Sequence, residues 1–296
     1  MMTPPGREQH RILPTIALAT AGCIWGTGFL FGKVALSEMP VGDMVLFRFL
    51  FACAALLPCL FFFRPGFDRG EWVWVIAAAV VGVPIQYLVQ FEGLALTTVS
   101  HASLMVGSLP MLLAVAAAIF SGERLRPTGW VALVASSVGA ALIALSSKDA
   151  SGATHASALG DGLVVLSMFA AIAWILISKR LMRHHAAVMV TVFVYLIGTA
   201  ILAALVVLAH GVPSLHYSSR VWLAVAEQGL LATAVTTLLW NWGLKRVPAS
   251  RAGIFVNLEP LVGAVLGVVV LHDVLGSMAL VGGALIIGGA TYFSVT

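Results

Sequence analysis

The chain has 296 residues, of which 60% are hydrophobic and only 9% charged, with a net charge of +4. Soluble domains carry about 25% charged residues, so no soluble core could hide this much apolar surface, and the bilayer must act as its solvent. The basic residues are scattered over short connections rather than gathered on one face, which argues against a nucleic-acid partner.

Apolar stretches of about 20 residues, the length of a membrane-spanning helix, fall near 12–32, 43–63, 72–92, 101–120, 128–146, 160–179, 187–209, 220–243, 251–271 and 275–295. They predict an all-α membrane protein of ten transmembrane helices, with no gap able to hold a separate soluble domain. The polar, basic lead MMTPPGREQHR looks like the start of a secretory signal. Only Ile12 to Ile16 precede the cleavage-like Ala17-Leu18-Ala19, however, whereas such a signal needs about 7–15 apolar residues. The first span is read as retained.

That span carries Trp25 near its middle and Lys33 at its end. An indole this deep either walls a cavity, where it suits a planar ring or an amine, or packs in the core. The lysine either anchors its helix at the interface or meets a substrate carboxylate. Gly26 to Lys33 resembles a phosphate loop, but the spacing is one residue too long and Val34 follows the lysine. Span two holds Arg48, which either snorkels to water or Asp43 or contacts a substrate carboxylate. In span three, Gln86 and Gln90 lie four residues apart beside Tyr87, with Glu92 further on, giving a polar stripe on one helix face.

His101 opens span four, as a titratable gate or an interfacial imidazole. Pro110 lies within that span, where it removes a backbone hydrogen bond and disfavours straight helix. Glu123 follows the span and is expected to pair with Arg124 or Arg126, or to act as a gate. The small, polar stretch 147–159 reads as a linker. Trp174 and Lys179 in span six repeat the placement of Trp25 and Lys33. Span eight holds Glu227 and then Thr236, Thr237, Trp240 and Asn241, a second polar stripe. Span nine places Asn257 and Glu259 beside Pro260 and ends at Asp273. A charge within an apolar span costs about 2.5–3.5 kcal/mol on insertion scales. Glu259 is therefore expected to hold an amine, carry a proton or bond a neighbouring helix.

Cys23, Cys53 and Cys59 all fall inside spans, so neither a disulfide framework nor a metal site follows. Glycine pairs such as Gly22/Gly26, Gly28/Gly32 and Gly263/Gly267 have the spacing that lets helices approach closely. They are read as packing within one subunit, hence a monomer rather than a dimer. No hydrolase or metalloprotease motif is present, and no enzyme activity, cofactor or metal is expected.

The charges orient the chain. Alternate gaps hold Arg7, Arg11, Arg64, Arg69, Arg124, Arg126, Lys179, Arg180, Arg183, Lys245, Arg246 and Arg251, whereas the others hold only Lys33, Lys148 and Arg220. By the positive-inside rule both termini are cytoplasmic. A shift of 150 residues superimposes 93–141 on 243–291 with twelve identities, Pro110 on Pro260 among them, and places Glu123 on Asp273. An offset of five spans turns the second copy upside down. The chain is therefore divided into a first five-helix repeat (1–146), a linker (147–159) and an inverted second repeat (160–296), a plan common in secondary transporters with a midplane site.

Several short motifs recur in order: Trp25-Gly26 with Lys33; Phe47-Arg48-Phe49; Glu92-Gly93-Leu94-Ala95-Leu96 leading to Ser100; and Pro110 followed by Gly122-Glu123-Arg124-Leu125. Trp174 with Lys179-Arg180-Leu181, and Glu259-Pro260 followed by Leu271-His272-Asp273, complete the set. Together they resemble the drug/metabolite transporter superfamily and its ten-span EamA-type exporters, most of all the YddG-type amino acid exporters. The resemblance implies export of small metabolites by alternating access without a bound cofactor. One departure is His272-Asp273, where the family usually has Gly-Glu.

The expectation is a multi-pass inner-membrane exporter of amino acids, including aromatic ones. Its substrate-binding residues are Trp25, Gln86, Tyr87, Gln90, Trp174, Trp240, Asn241, Asn257 and Glu259. Helix breaks or gates fall at Pro110, Pro260, His101, Glu123 and Asp273, and Lys33, Arg48 and Lys179 are carboxylate contacts or anchors. The partners are a small-molecule substrate, the lipid bilayer and protons as candidate coupling ions. An exporter of cationic drugs and a receptor that binds without translocating are the rival readings.

Overall fold

A computed structural model describes residues 5–62, 66–97, 102, 105–146, 157–271 and 277–295. Among them every regular element is helical. Lipid offers no partner to backbone N–H and C=O groups, so an apolar chain at membrane depth must satisfy them within its own helices. The segments are α1 (Pro5–Leu36), α2 (Val41–Phe61), α3 (Arg69–Leu96), α4 (Leu109–Ser121) and α5 (Pro127–Ser146). Further along the chain come α6 (Ala158–Leu181), α7 (Ala187–His210), α8 (Ser219–Leu244), α9 (Leu258–Leu271) and α10 (Ser277–Val295). Six described helices are long and apolar enough to cross a membrane: α1 from Ile12, α2, α3, α6, α7 and α8. The apolar parts of α4, α5 and α10 are shorter.

Local chemistry sets several of the ends. Ser157 accepts the Gly160 N–H at 3.0 Å and Ser218 the Val221 N–H at 3.4 Å, so each caps the start of a helix. Gly122, at φ 65°, closes α4 in the left-handed conformation that glycine adopts without steric cost.

α3 and α8 share an irregularity that the sequence did not announce. Each widens into a π turn near its middle, at Val81–Ile85 and at Leu230–Val235. These turns lie one repeat offset apart. In α3 the turn contains Pro84, which has no N–H to offer a normal helical bond. In α8 the hydroxyls of Thr233 and Thr236 donate to the carbonyls of Gln228 and Leu231, five residues back, at 2.7 Å each.

The first helix of each copy packs on the third helix of the other. A Cβ on Gly82 would overlap the Trp174 indole, while Trp25 Nε1 donates to the carbonyl of Ala232 at 3.1 Å, 150 residues on from Gly82. A Cβ on Gly93 would lie 2.8 Å from the Gly160 carbonyl, and one on Gly243 2.9 Å from the Pro14 carbonyl. The glycines Gly22 and Gly26 bring α1 against Phe255 and Glu259, as expected for packing within the subunit.

Charge is sorted along the bundle. At one end, called the basic end below, Lys245 Nζ donates to the His185 carbonyl at 2.7 Å, and His185 Nε2 meets Glu71 at 2.8 Å. At the opposite end the Tyr217 hydroxyl donates to Asp43 at 2.7 Å, and Glu38 accepts the Ser218 N–H at 2.9 Å and its hydroxyl at 2.7 Å. These two bonds hold the exposed Glu38 carboxyl below the usual carboxylate range.

The prolines differ from expectation in detail. Pro110 lies in the first turn of α4, after a turn at Gly107-Ser108, and Pro260 lies in the first turn of α9. Before Pro260 the chain runs as a short helix, Ala249–Ala252, and a 3-10 segment, Gly253–Asn257. In both copies the irregular backbone therefore precedes the proline. The ring occupies a position whose missing N–H leaves little unsatisfied.

Candidate functional site

A cavity lies at the centre, between α1, α2, α3, α4, α6, α8 and α9. Its room for the centres of water-sized atoms is about 70 Å³, several times the ~10–15 Å³ that one water needs. Trp25, Gln86, Tyr87, Gln90, Trp174, Trp240 and Glu259, seven of the residues selected from the sequence, line it together with Arg48. The Trp25 and Trp240 rings sit 5.0 Å apart with a tilt of 51°. Tyr87 and Phe91 stack at 6.4 Å.

Arg48 corrects the snorkelling alternative. It is buried, its Nε donates to Thr233 Oγ1 at 2.6 Å, and its guanidinium carbon lies 4.5 Å from the Tyr87 ring centroid and 5.4 Å from that of Phe91. Asp43, its supposed partner, instead accepts from Tyr217. The side chain points inward because Thr233, the Ala232 carbonyl at 3.5 Å and two aromatic faces supply at depth the partners that water would supply at the surface.

Glu259 is partly buried among cavity-lining residues, and no hydrogen bond to its carboxyl occurs among the described residues. Two further cavity-lining side chains carry a buried polar atom without a protein partner: the Trp240 Nε1 donor and the Gln86 Oε1 acceptor. Most buried polar atoms find a partner. The cavity thus presents a cation, an acid, a free donor and a free acceptor inside aromatic walls.

Asn241 and Asn257 do not line it. Asn241 Nδ2 donates to Thr191 Oγ1 at 2.8 Å, tying α8 to α7, and Asn257 Nδ2 donates to Ser136 Oγ at 2.9 Å, tying the 3-10 segment to α5. Thr237 is likewise used elsewhere, paired with Tyr195 at 2.6 Å. Among the lining residues that sequence reasoning missed are Phe91, Val106, Met168 and Ile175. Phe91 and Ile175 directly follow the selected Gln90 and Trp174, and a helical face drawn one residue wider would have included them.

The lysines lie away from the cavity. Lys179 Nζ donates to the Val247 carbonyl at 2.6 Å and meets Glu123 at 3.1 Å. Glu123 therefore pairs with Lys179, rather than with Arg124 or Arg126. It also accepts the N–H of Ala249 at 3.0 Å, and the N–H and hydroxyl of Ser250 at 2.9 Å each. Burial opposes ionisation of Glu123, but the Ser250 N–H, the Lys179 ammonium and the other donors outweigh it and hold the carboxyl below its ordinary value. Lys33 Nζ donates to the Thr97 carbonyl at 2.9 Å, and the Thr97 hydroxyl donates to Asp161 at 2.6 Å. His101, Asp273 and linker residues 147–156 lie outside the described residues.

The sequence model of the EamA-like transporter family matches the chain twice, at residues 13–145 and 158–295. The chain belongs to the EamA-like transporter family. It is a multi-pass integral membrane protein of a transporter family. It is similar to the uncharacterized transporter YetK of Bacillus subtilis, 25% identical over 280 residues, covering 93% of this chain and 84% of the relative. An uncharacterized transporter of Archaeoglobus fulgidus is 24% identical over 278 residues, 93% of this chain and 94% of that protein. A probable terminal-alkyne amino-acid exporter of Streptantibioticus cattleyicolor is 30% identical over 195 residues, 64% of this chain and 61% of that protein. A solved crystal structure superposes with a TM-score of 0.77 at 22% identity, covering 95% of this chain and 98% of the other. That likeness establishes the fold.

Proposed function

We propose that the protein exports small zwitterionic metabolites, in the first place amino acids including aromatic ones, through the central cavity. In this reading the chain crosses the inner membrane ten times, with the basic end and both termini in the cytoplasm. The repeats 1–146 and 160–296, joined by 147–159, exchange packing to open the cavity to either side in turn. No cofactor or nucleic acid takes part, and the working unit is a monomer.

One observation carries the reading: Arg48 and Glu259 line a single aromatic-walled cavity. The guanidinium suits a carboxylate and the Glu259 carboxyl an ammonium, while Trp25, Trp174 and Trp240 suit an apolar or aromatic side chain. Trp240 Nε1 and Gln86 Oε1 are a donor and an acceptor that a polar ligand would satisfy. The named function of the Streptantibioticus relative points the same way. A lipophilic cation, the rival substrate, would face the Arg48 charge. Glu259 is the natural residue for coupling export to protons, because it is an acid within the substrate cavity.

Purified protein in liposomes should move neutral amino acids. Arg48→Gln should cut that flux by about 10-fold or more, the worth of one charge-assisted hydrogen bond of ~1.5–3 kcal/mol, and Glu259→Gln should change its rate and pH dependence. Block by a lipophilic cation without competition from amino acids would overturn the substrate assignment.

A further inference from the structure

Glu227 lies on α8 between the end opposite the basic end and the cavity, and it is not among the cavity-lining residues. Its contacts across to α1 carry information about a proton. Thr27 Oγ1 is 2.7 Å from the Ile24 carbonyl oxygen and 2.6 Å from Glu227 Oε1. Both separations lie within the ordinary O–H···O range. A hydroxyl has one proton and serves one acceptor, and the carbonyl of Ile24 can only accept. Both contacts are therefore hydrogen bonds together only when Glu227 supplies the second proton. The order is then Glu227 O–H to Thr27 Oγ1, and Thr27 O–H to the Ile24 carbonyl. Independently, Glu227 Oε2 is buried with no partner. That is tolerable for the carbonyl oxygen of a neutral acid and costly for a carboxylate.

We propose that Glu227 is a second proton-carrying site, separate from Glu259, which holds its proton while α1 and α8 are packed together and releases it when they part. The elements packed against the Ser219–Gly229 part of α8, which carries Glu227, are α1 and α2. On α1 no titratable side chain occurs from Ile24 to Gly32, and Lys33 beyond it donates to Thr97. On α2 the charge that acts on Glu227 is Arg48, while Asp43 is bonded to Tyr217. Separation of α1 from α8 withdraws the Thr27 hydroxyl and admits water. The Glu227 O–H bond then breaks, its electron pair stays on the carboxylate facing the Arg48 charge, and the proton passes to water at the end opposite the basic end. Rebinding reverses the step. The use of this proton in transport rests on the function proposed above, but its presence does not.

Infrared spectroscopy of the full chain in liposomes at neutral pH tests this without any substrate. The protein should show a protonated-carboxyl C=O stretching band that Glu227→Gln removes and Glu259→Gln leaves in place. Thr27→Val, which takes away the acceptor, should shift that band to higher frequency, and Thr27→Ser should leave it where it is. A Glu227→Gln spectrum unchanged in this region, or a band that Thr27→Val fails to move, would overturn the assignment. Failure of amino acid flux would leave the band untouched, so the two proposals fail separately.

Discussion

At the basic end, Lys179 binds the carbonyl of Val247 and the carboxylate of Glu123. At the opposite end, Lys33 binds the carbonyl of Thr97, 150 residues before Val247, and the Thr97 hydroxyl holds Asp161. The lysine-to-carbonyl bond is the same in both copies, but the acid comes from a different kind of element. Glu123 sits in the connection after α4 and grips the backbone of Ala249 and Ser250. Asp161 sits in the first turn of α6. A connection can release its carboxylate by local rotation, whereas Asp161 moves only with its helix. The two corners are therefore held differently, one by a carboxylate on a connection and one by a carboxylate on a helix.

Substitutions at the two lysine corners can break or sharpen this contrast. The largest effect is expected from Lys179→Met, which leaves the mostly buried Glu123 without its ammonium. A loss of about 2 kcal/mol lies between an exposed pair and a fully buried one, and thermal unfolding in detergent should show it. Thr97→Val should cost less, about 1.5 kcal/mol, the low end for a hydroxyl bond to a carboxylate, because the backbone carbonyl that binds Lys33 remains. Equal losses in the two variants would remove the distinction between the ends. The smallest effect is one of pH. Glu123 is held below its ordinary value, so its contribution is fully present above about pH 4.3, the unperturbed value for Glu. The contribution is lost as pH falls through the lowered value. The difference in unfolding temperature between the native chain and Glu123→Gln should shrink across that interval.

The order of the helices, the alternation of basic and non-basic gaps and about half of the residues that line the cavity were legible in the sequence. Each depends on a property that repeats along the chain: apolar length, basic content of the gaps, or polar residues on one helical face. What could not be read depends on partners from distant helices. Arg48 points inward because Thr233 and Ala232, about 185 residues away, accept its protons. Asn241 and Asn257 turn from the cavity because Thr191 and Ser136 meet them elsewhere. Glu123 passes over the adjacent Arg124 because Lys179 and two backbone N–H groups converge on it. The π turns were hidden for another reason: one contains a proline and the other is supported by threonines, so no common residue marks them.

Those paired π turns set the aim of everything beyond them. Each inserts about one extra residue into its helix, and a residue is worth roughly 100° of rotation about the helix axis. Gln86, Tyr87 and Gln90 follow the first turn, and Trp240 follows the second. Unbroken α-helices carrying the same sequence would swing these four side chains by more than a quarter circle, toward neighbouring helices or lipid. The chamber thus owes its lining as much to a counting irregularity in two helices as to the side chains that fill it.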